Sequence, residues 1–280
     1  MKIDETTVAV ITGGGGGIGR GIALGLAGRG ARLVIADIDL ETATAVADEM
    51  TTLGAEAIAA QVDATNIESL EGVADLAEAT FGSIDVVANN VGVVQSRGLL
   101  EATEDEWSWV VELNLMSIVR SCAVFAPRIQ SHGRGGHIVN TASMAGLWAS
   151  KPEEVSGVKL GLYTTTKHAV LGYSETLRGE LAPDGIGVSC LCPGMVDSNL
   201  MQTSMRHRPD RYGGAAEAPP SRGANPYAMA QEDVGKYVVA GIEGNRTQIL
   251  THPGARSFVE QRAATLASDF DFFAAVEDSG

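Results

Sequence analysis

Aromatic residues make up only 5 % of this 280-residue chain, and it has few prolines (9) and few cysteines (3). Cationic residues are also scarce: 20 Lys and Arg stand against 35 Asp and Glu, for a net charge of −15. Such a surface repels phosphate backbones and anionic lipid, so neither nucleic acid nor a membrane surface is an expected partner. The cysteines, Cys122, Cys190 and Cys192, are odd in number, and the last two share one face of an apolar run. A disulfide framework is therefore not expected, and a reducing, cytoplasmic location is. Cys and His do not fall at ligand spacing, so no metal site is expected. There is no run of about eighteen apolar residues and no basic-then-apolar leader pattern, so neither a transmembrane helix nor a signal peptide is expected.

Glycine, by contrast, is plentiful at 34 residues, and 45 % of the chain is hydrophobic. Short apolar runs alternate with helical patterns. The runs are 7–11, 33–36, 57–62, 84–88, 137–140, 188–191 and 248–250, and the helical stretches are 20–29, 40–53, 67–81, 104–131 and 163–181. Continuously apolar strands interleaved with helices predict a parallel sheet covered on both faces. The expected fold is a Rossmann-type, doubly wound α/β domain: seven mostly parallel strands, one domain over residues 1–280, with no repeat and no dividing linker. Two polar stretches break the rhythm. Residues 147–160 read as an insertion near the carboxyl end of the fifth strand, and 199–227 as a lid after the sixth. Residues 255–280 read as an apolar C-terminal extension carrying Phe258, Leu266, Phe270, Phe272 and Phe273.

Thr12-Gly13-Gly14-Gly15-Gly16-Gly17-Ile18-Gly19 joins the first strand to the first helix. A backbone that turns tightly and presents a helix N-terminus without side chains suits a diphosphate. Asp37 ends the second strand, where a carboxylate accepts both ribose hydroxyls of an adenosine and repels a 2′-phosphate. With no basic side chain at the matching position, NAD is the expected cofactor. Asp63, followed by Ala64, closes the third strand and is placed to meet the adenine amino group. Asn89-Asn90-Val91-Gly92 closes the fourth and offers bare backbone to the adenosine side. Taken singly, each is an ordinary turn; the weight comes from their common sheet edge.

Tyr163 and Lys167 stand four residues apart, on one helical face. A cation near a phenol favours the phenolate and brings Tyr163 toward the range useful for acid–base work. Lys167 is also placed to hold a nicotinamide ribose, and Ser143 a substrate oxygen. Asn114, polar and mid-helix, is placed to hold a water that passes protons to Lys167. A lone Tyr-x-x-x-Lys is commonplace on surface helices; four such residues in this order are not.

These motifs, with Pro193-Gly194, resemble the short-chain dehydrogenase/reductase family of the short, single-domain type over roughly residues 5–255. The resemblance implies Tyr163 as acid/base, Lys167 lowering its pKa and binding ribose, Ser143 holding substrate and Asn114 completing a proton relay. It also implies that Pro193-Gly194-Met195-Val196-Asp197-Ser198 meets the nicotinamide carboxamide, through the backbone of Val196 and the hydroxyl of Ser198. Val91 and Ser198 are mild departures from the family pattern, and the gap from Ser143 to Tyr163 is longer than usual. The implied activity is hydride transfer between NAD and a secondary alcohol or ketone. Arg208-Pro209-Asp210-Arg211-Tyr212-Gly213 is similar to lids of bacterial dehydrogenases acting on benzylic alcohols of aryl ethers. Met195, Leu200, Met201 and Met205 favour a bulky apolar or aromatic substrate. For the lid arginines 206, 208, 211 and 222, carboxylate binding and simple solubility stay open, as do pocket wall and core for Trp148. A homo-oligomer, tetramer or dimer, is implied through helices 104–131 and 163–182. A non-catalytic dinucleotide-binding sensor or scaffold is the alternative, and an epimerase or dehydratase on the same fold is a third.

Overall fold

The computed structural model describes residues 1–149, 158–215 and 228–277. Seven strands form one sheet: β1 (Val8–Thr12), β2 (Arg32–Asp37), β3 (Ala57–Gln61), β4 (Val86–Asn89), β5 (Gly136–Thr141), β6 (Ile186–Cys192) and β7 (Gln248–Leu250). Their order is β3-β2-β1-β4-β5-β6-β7. Every pair is parallel, so "mostly parallel" is corrected to wholly parallel. Alternate residues of each central strand feed opposite cores. Val10 and Val34 point to one face, Ala9, Ile11, Leu33 and Ile35 to the other. That double burial is why these strands read as unbroken apolar runs.

Helices α1 (Gly17–Ala27), α2 (Leu40–Thr52) and α8 (Gln231–Glu243) cover one face. Helices α3 (Ile67–Phe81), α5 (Ser117–Ser131) and α6 (Gly161–Leu181) cover the other. Local chemistry sets their ends. Asp39 caps α2 by accepting from the Glu41 and Thr42 N–H groups, and Gly82 closes α3 in the left-handed region at φ +88°. Helix α4 (Glu104–Val111) opens with a Thr103/Glu106 capping box. Contacts between α1 and α8 are backbone to backbone. A Cβ on Gly235 would lie 2.8 Å from the Gly25 Cα, and one on Gly25 2.6 Å from the Gly235 backbone.

The expected helix 104–131 is interrupted by a π turn at Glu112–Met116 between α4 and α5. By length and composition alone this 28-residue stretch is apolar enough to cross a membrane. Here it is a core helix: Trp109, Val110, Ile118, Phe125 and Ile129 are buried in the domain. Three helices go beyond the sequence expectation: α7 (Leu200–Arg206) in the lid, α8, and α9 (Arg256–Glu277) in the C-terminal extension. Parts of the expected insertion (150–157) and of the lid (216–227, including Arg222) lie outside the described residues.

The strand order reverses between β1 and β4. At such a switch point the loops after the two strands turn opposite ways and leave a crevice at the carboxyl edge of the sheet. The loops that follow β1, β4, β5 and β6 carry the candidate residues to that edge.

Candidate active site

The glycine loop lies at the crevice. Gly13 and Gly17 take φ values of +67° and +52°, which L side chains rarely adopt. A Cβ on Gly13 would stand 3.0 Å from the backbone of Asn90 and Val91, and one on Gly19 would overlap the Gly13 carbonyl. Beside Gly16, in contrast, there is open space. Helix α1 starts there with no side-chain cap and no acidic residue in its first turn. Its first N–H groups and dipole therefore face a cradle that a side chain would fill, as an anionic diphosphate requires. Ser198 borders the same cradle: a Cβ on Gly17 would be 3.2 Å from the Ser198 Cβ.

Asp37 stands at the rim. Its Oδ2 accepts from the Gly15 N–H at 2.9 Å and its Oδ1 from the Asp39 N–H at 3.2 Å, so the carboxylate is oriented by the loop it flanks. Arg20 points elsewhere. Its guanidinium donates to both oxygens of Glu49 (2.7 and 2.6 Å) and to Glu232 (2.7 Å), and those hydrogen bonds hold it firmly protonated. It ties α1 to α2 and α8.

The structure brings Ser143, Tyr163, Lys167 and Asn114 together beside Gly92. A Cβ on Gly92 would be 3.1 Å from Asn114 Oδ1 and 3.4 Å from Lys167 Nζ. The Ser143 side chain favours the charged form of the Tyr163 phenol. Ser143 Oγ also accepts from the Ala145 N–H at 3.1 Å and donates to the Pro193 carbonyl at 3.4 Å, which fixes its direction. Lys167 is buried, donates to the Thr141 carbonyl at 2.8 Å, and lies 5.5 Å from the centre of the Tyr163 ring. The extra residue of the π turn aims Asn114 inward. Its Oδ1 accepts from the Val93 N–H at 2.6 Å, and its Nδ2 donates to the Val93 carbonyl (2.9 Å) and to Thr166 (3.1 Å).

The electrostatics differ from the expectation for Tyr163. Burial pushes its phenol above the ordinary value, and only the Ser143 side chain opposes that. Burial also pushes the Lys167 ammonium down to about 8. Both groups are thus driven toward their neutral forms. Within the protein alone, the expected lowering of Tyr163 by Lys167 is not what governs it.

After β6, the Pro193 carbonyl accepts from the Met144 N–H at 2.9 Å, and Val196 forms a bridge to Met229. His252 braces this segment. Its Nδ1 accepts from the Gly194 N–H at 3.0 Å and its Nε2 donates to the Met195 carbonyl at 3.1 Å, which assigns the Nε2–H tautomer. A Cβ at Gly194 would be 2.7 Å from that ring. The lid packs over the neighbouring loop. The Val94 N–H donates to Ser204 Oγ at 3.1 Å, and Met205 is buried with Val93, Trp109, Val110 and Leu162.

The sequence profile described as short chain dehydrogenase matches residues 7–209. The chain belongs to the short chain dehydrogenase family. It is 37 % identical over 203 residues to "Probable oxidoreductase EphD" of Mycobacterium tuberculosis, a match covering 72 % of this chain and 33 % of that protein. The chain thus spans about a third of the length of that relative. It is 31 % identical over 268 residues to "C alpha-dehydrogenase" of a Sphingobium species, covering 93 % of this chain and 85 % of that one. The crystal structure of a short chain dehydrogenase/reductase from Burkholderia phymatum in complex with NAD superposes with a TM-score of 0.84 at 33 % identity, over 96 % of each chain.

The side chains of several residues named from sequence have partners within the protein. The Asn89 side chain faces the core, which leaves only its backbone for the crevice. Its Nδ2 donates to Asn140 Oδ1 at 2.8 Å and its Oδ1 accepts from Ser121, because β4 points that residue under the sheet. Asn90 takes the loop contact instead, with Nδ2 donating to the Gly13 carbonyl at 3.0 Å. Asp63 Oδ1 accepts from the N–H (2.9 Å) and hydroxyl (2.7 Å) of Thr65, capping its own turn. Among the lid residues, Arg208 stacks 4.9 Å over the Trp109 ring and Arg211 5.0 Å over Tyr212, so both serve the lid's own packing. Met205 anchors the lid, while Leu200 and Met201 keep partly exposed faces. Trp148 both packs against the core and stacks at 5.1 Å on Phe258 of α9. His252 and Asn90 are the residues that sequence reasoning missed. Asn90 was legible in the Asn-Asn-x-Gly run; His252 had no local signal.

Proposed function

We propose that this chain is an NAD-dependent dehydrogenase of secondary alcohols, with the reverse ketone reduction on the same site. The observation that carries this reading is the convergence of Ser143, Tyr163 and a buried Lys167 on the sheet edge that also holds the open glycine cradle. The cradle fits a dinucleotide. The α1 N-terminus, Gly13, Gly17, Ile18 and Gly19 receive the diphosphate, Asp37 the adenosine ribose, and the Pro193, Val196 and Ser198 segment the carboxamide. Thr12, Asp63, Ala64 and Gly92 border the cofactor. Arg20 is committed to two carboxylates and Asp37 guards the ribose, which supports NAD over its 2′-phosphorylated form. When bound, NAD supplies the hydride acceptor.

The chain's own residues then act on the proton. Ser143 holds the substrate oxygen beside the Tyr163 hydroxyl, and Tyr163 exchanges a proton with that oxygen as general acid/base. A Lys167 titrating near 8 supplies positive charge beneath the phenol when protonated and also holds the nicotinamide ribose. Asn114 clamps Val93, and so sets the loop on which Gly92 lies, and completes the proton relay with Lys167. The partly exposed Leu200 and Met201 of the lid favour a bulky apolar or aromatic substrate. The test is NADH formation by the purified protein on aryl-substituted, steroidal and short aliphatic secondary alcohols, with NADP in parallel. Turnover of a bulky or aromatic alcohol with NAD is expected. Bound NAD with no turnover of any class favours the sensor or scaffold reading instead.

A further inference from the structure

Helix α9 runs for 22 residues, and none of them is buried by the rest of the chain. Phe270, Phe272 and Phe273 are 77 %, 64 % and 65 % exposed, and Leu266 is 49 % exposed. Helices in proteins draw most of their stability from packing an amphipathic face, and α9 packs on the rest of the described chain chiefly through the stack of Phe258 on Trp148. Its sequence has a periodicity that identifies what covers it. Val259, Ala263, Leu266, Phe270 and Phe273 follow a 4-3-4-3 spacing, the a/d seam of a coiled coil. The two phenylalanines off that seam make ring contacts. Phe258 stacks on Trp148, and Phe272 meets Phe273 edge-on at 5.2 Å.

We propose that α9 pairs antiparallel with α9 of a second copy of this chain, joining two copies through this helix. The residues flanking the seam select that orientation. With Ala263 of one copy facing Leu266 of the other, Val259 faces Phe270, so each layer sets a small side chain against a large one. The same register sets Arg262 of each copy opposite Asp269 of the other, giving two opposite-charge contacts related by the twofold axis. A parallel pair in register would instead set Arg262 and Asp269 against alanines (Ala267 and Ala274) and stack Phe270 on Phe270. The antiparallel overlap runs from residue 256 to residue 273, about 27 Å of helix. It brings Phe272 and Phe273 of each copy to the root of the other's α9. There Phe258 stacks on Trp148, in the segment that follows Ser143. Each copy thereby supplies aromatic cover to the edge of the other's crevice.

The test is the dissociation of full-length protein, followed by sedimentation equilibrium, with circular dichroism and thermal melting to show that each variant folds. Wild type is expected to self-associate. Arg262→Asp and Asp269→Arg, each of which turns two attractive contacts into two repulsive ones, are expected to weaken that association about tenfold. The double variant Arg262→Asp/Asp269→Arg restores both pairs and is expected to return to within about twofold of wild type. Phe270→Glu, in the seam, is expected to halve the assembly's mass at concentrations where wild type is intact. A monomeric wild type overturns the proposal. So do single variants that associate as wild type does, or a double variant no better than the singles. The last result would mean that α9 packs on some other surface of its neighbour.

Discussion

At the residue scale, His252 shows how one side chain governs a backbone it does not belong to. Gly194 and Met195 lie 58 and 57 positions earlier in the chain, yet both ring nitrogens are committed to them. Each hydrogen bond contributes about 1 kcal/mol, so losing both loosens the segment proposed to receive the carboxamide. His252→Ala is expected to raise the Kd for NAD about tenfold with little change in Tm, and His252→Gln, which keeps one acceptor and one donor, to recover most of that loss. Isothermal titration calorimetry reads both. Unchanged affinity in the alanine variant contradicts the assigned brace. Gly92 makes a related point about space: with Asn114 Oδ1 and Lys167 Nζ so near its Cα, a side chain there would press on both.

At the element scale, the strands and most helices were legible because their chemistry is local. A strand buried on both faces is an apolar run, and Asp39, Asn66 and Thr103 mark helix starts. The glycine loop, Asp37, Ser143, Tyr163 and Lys167 were legible because each sits at the end or start of such an element. What escaped depends on neighbours remote in sequence. Gly235 and Gly241 lower the helix propensity of α8, and the Gly25–Gly235 contact that explains the first is visible only once α1 lies against it. The π turn at 112–116 adds one residue without breaking the three-to-four apolar spacing, so the pattern read as one unbroken α-helix. Asn89 and Asn90 are neighbours that point to opposite sides of the β4 end. Sequence reasoning gave the crevice the backbone of this segment and did not foresee which of the two side chains reaches the glycine loop.

At the scale of the whole molecule, one buried group makes folding sensitive to acid. His137 is buried on β5 and its Nε2 donates to Ser189 Oγ at 2.8 Å; desolvation pushes its pKa down to about 3 from an ordinary 6.5. Between those values the unfolded chain binds a proton that the folded chain does not. Stability therefore falls as pH falls from 6.5 toward 3, by up to about 1.4 kcal/mol per pH unit from this residue. The expected result is a Tm that declines with acidification more steeply in wild type than in His137→Gln. Parallel declines would exclude His137 as the source. The net charge of −15 acts in the opposite sense, because protonating carboxylates relieves repulsion, so the comparison between the two proteins isolates the histidine.

The central claim is that Tyr163 moves the proton at a dinucleotide site built by the rest of the edge. Its most direct measurement pairs turnover with binding in Tyr163→Phe, a change that removes one hydroxyl and leaves the ring beside Lys167. NADH formation from the best alcohol is expected to drop by 10²–10⁴-fold, the usual worth of a positioned acid/base, while the Kd for NAD stays within about twofold of wild type. Turnover retained in that variant, with NAD still bound, would contradict the account.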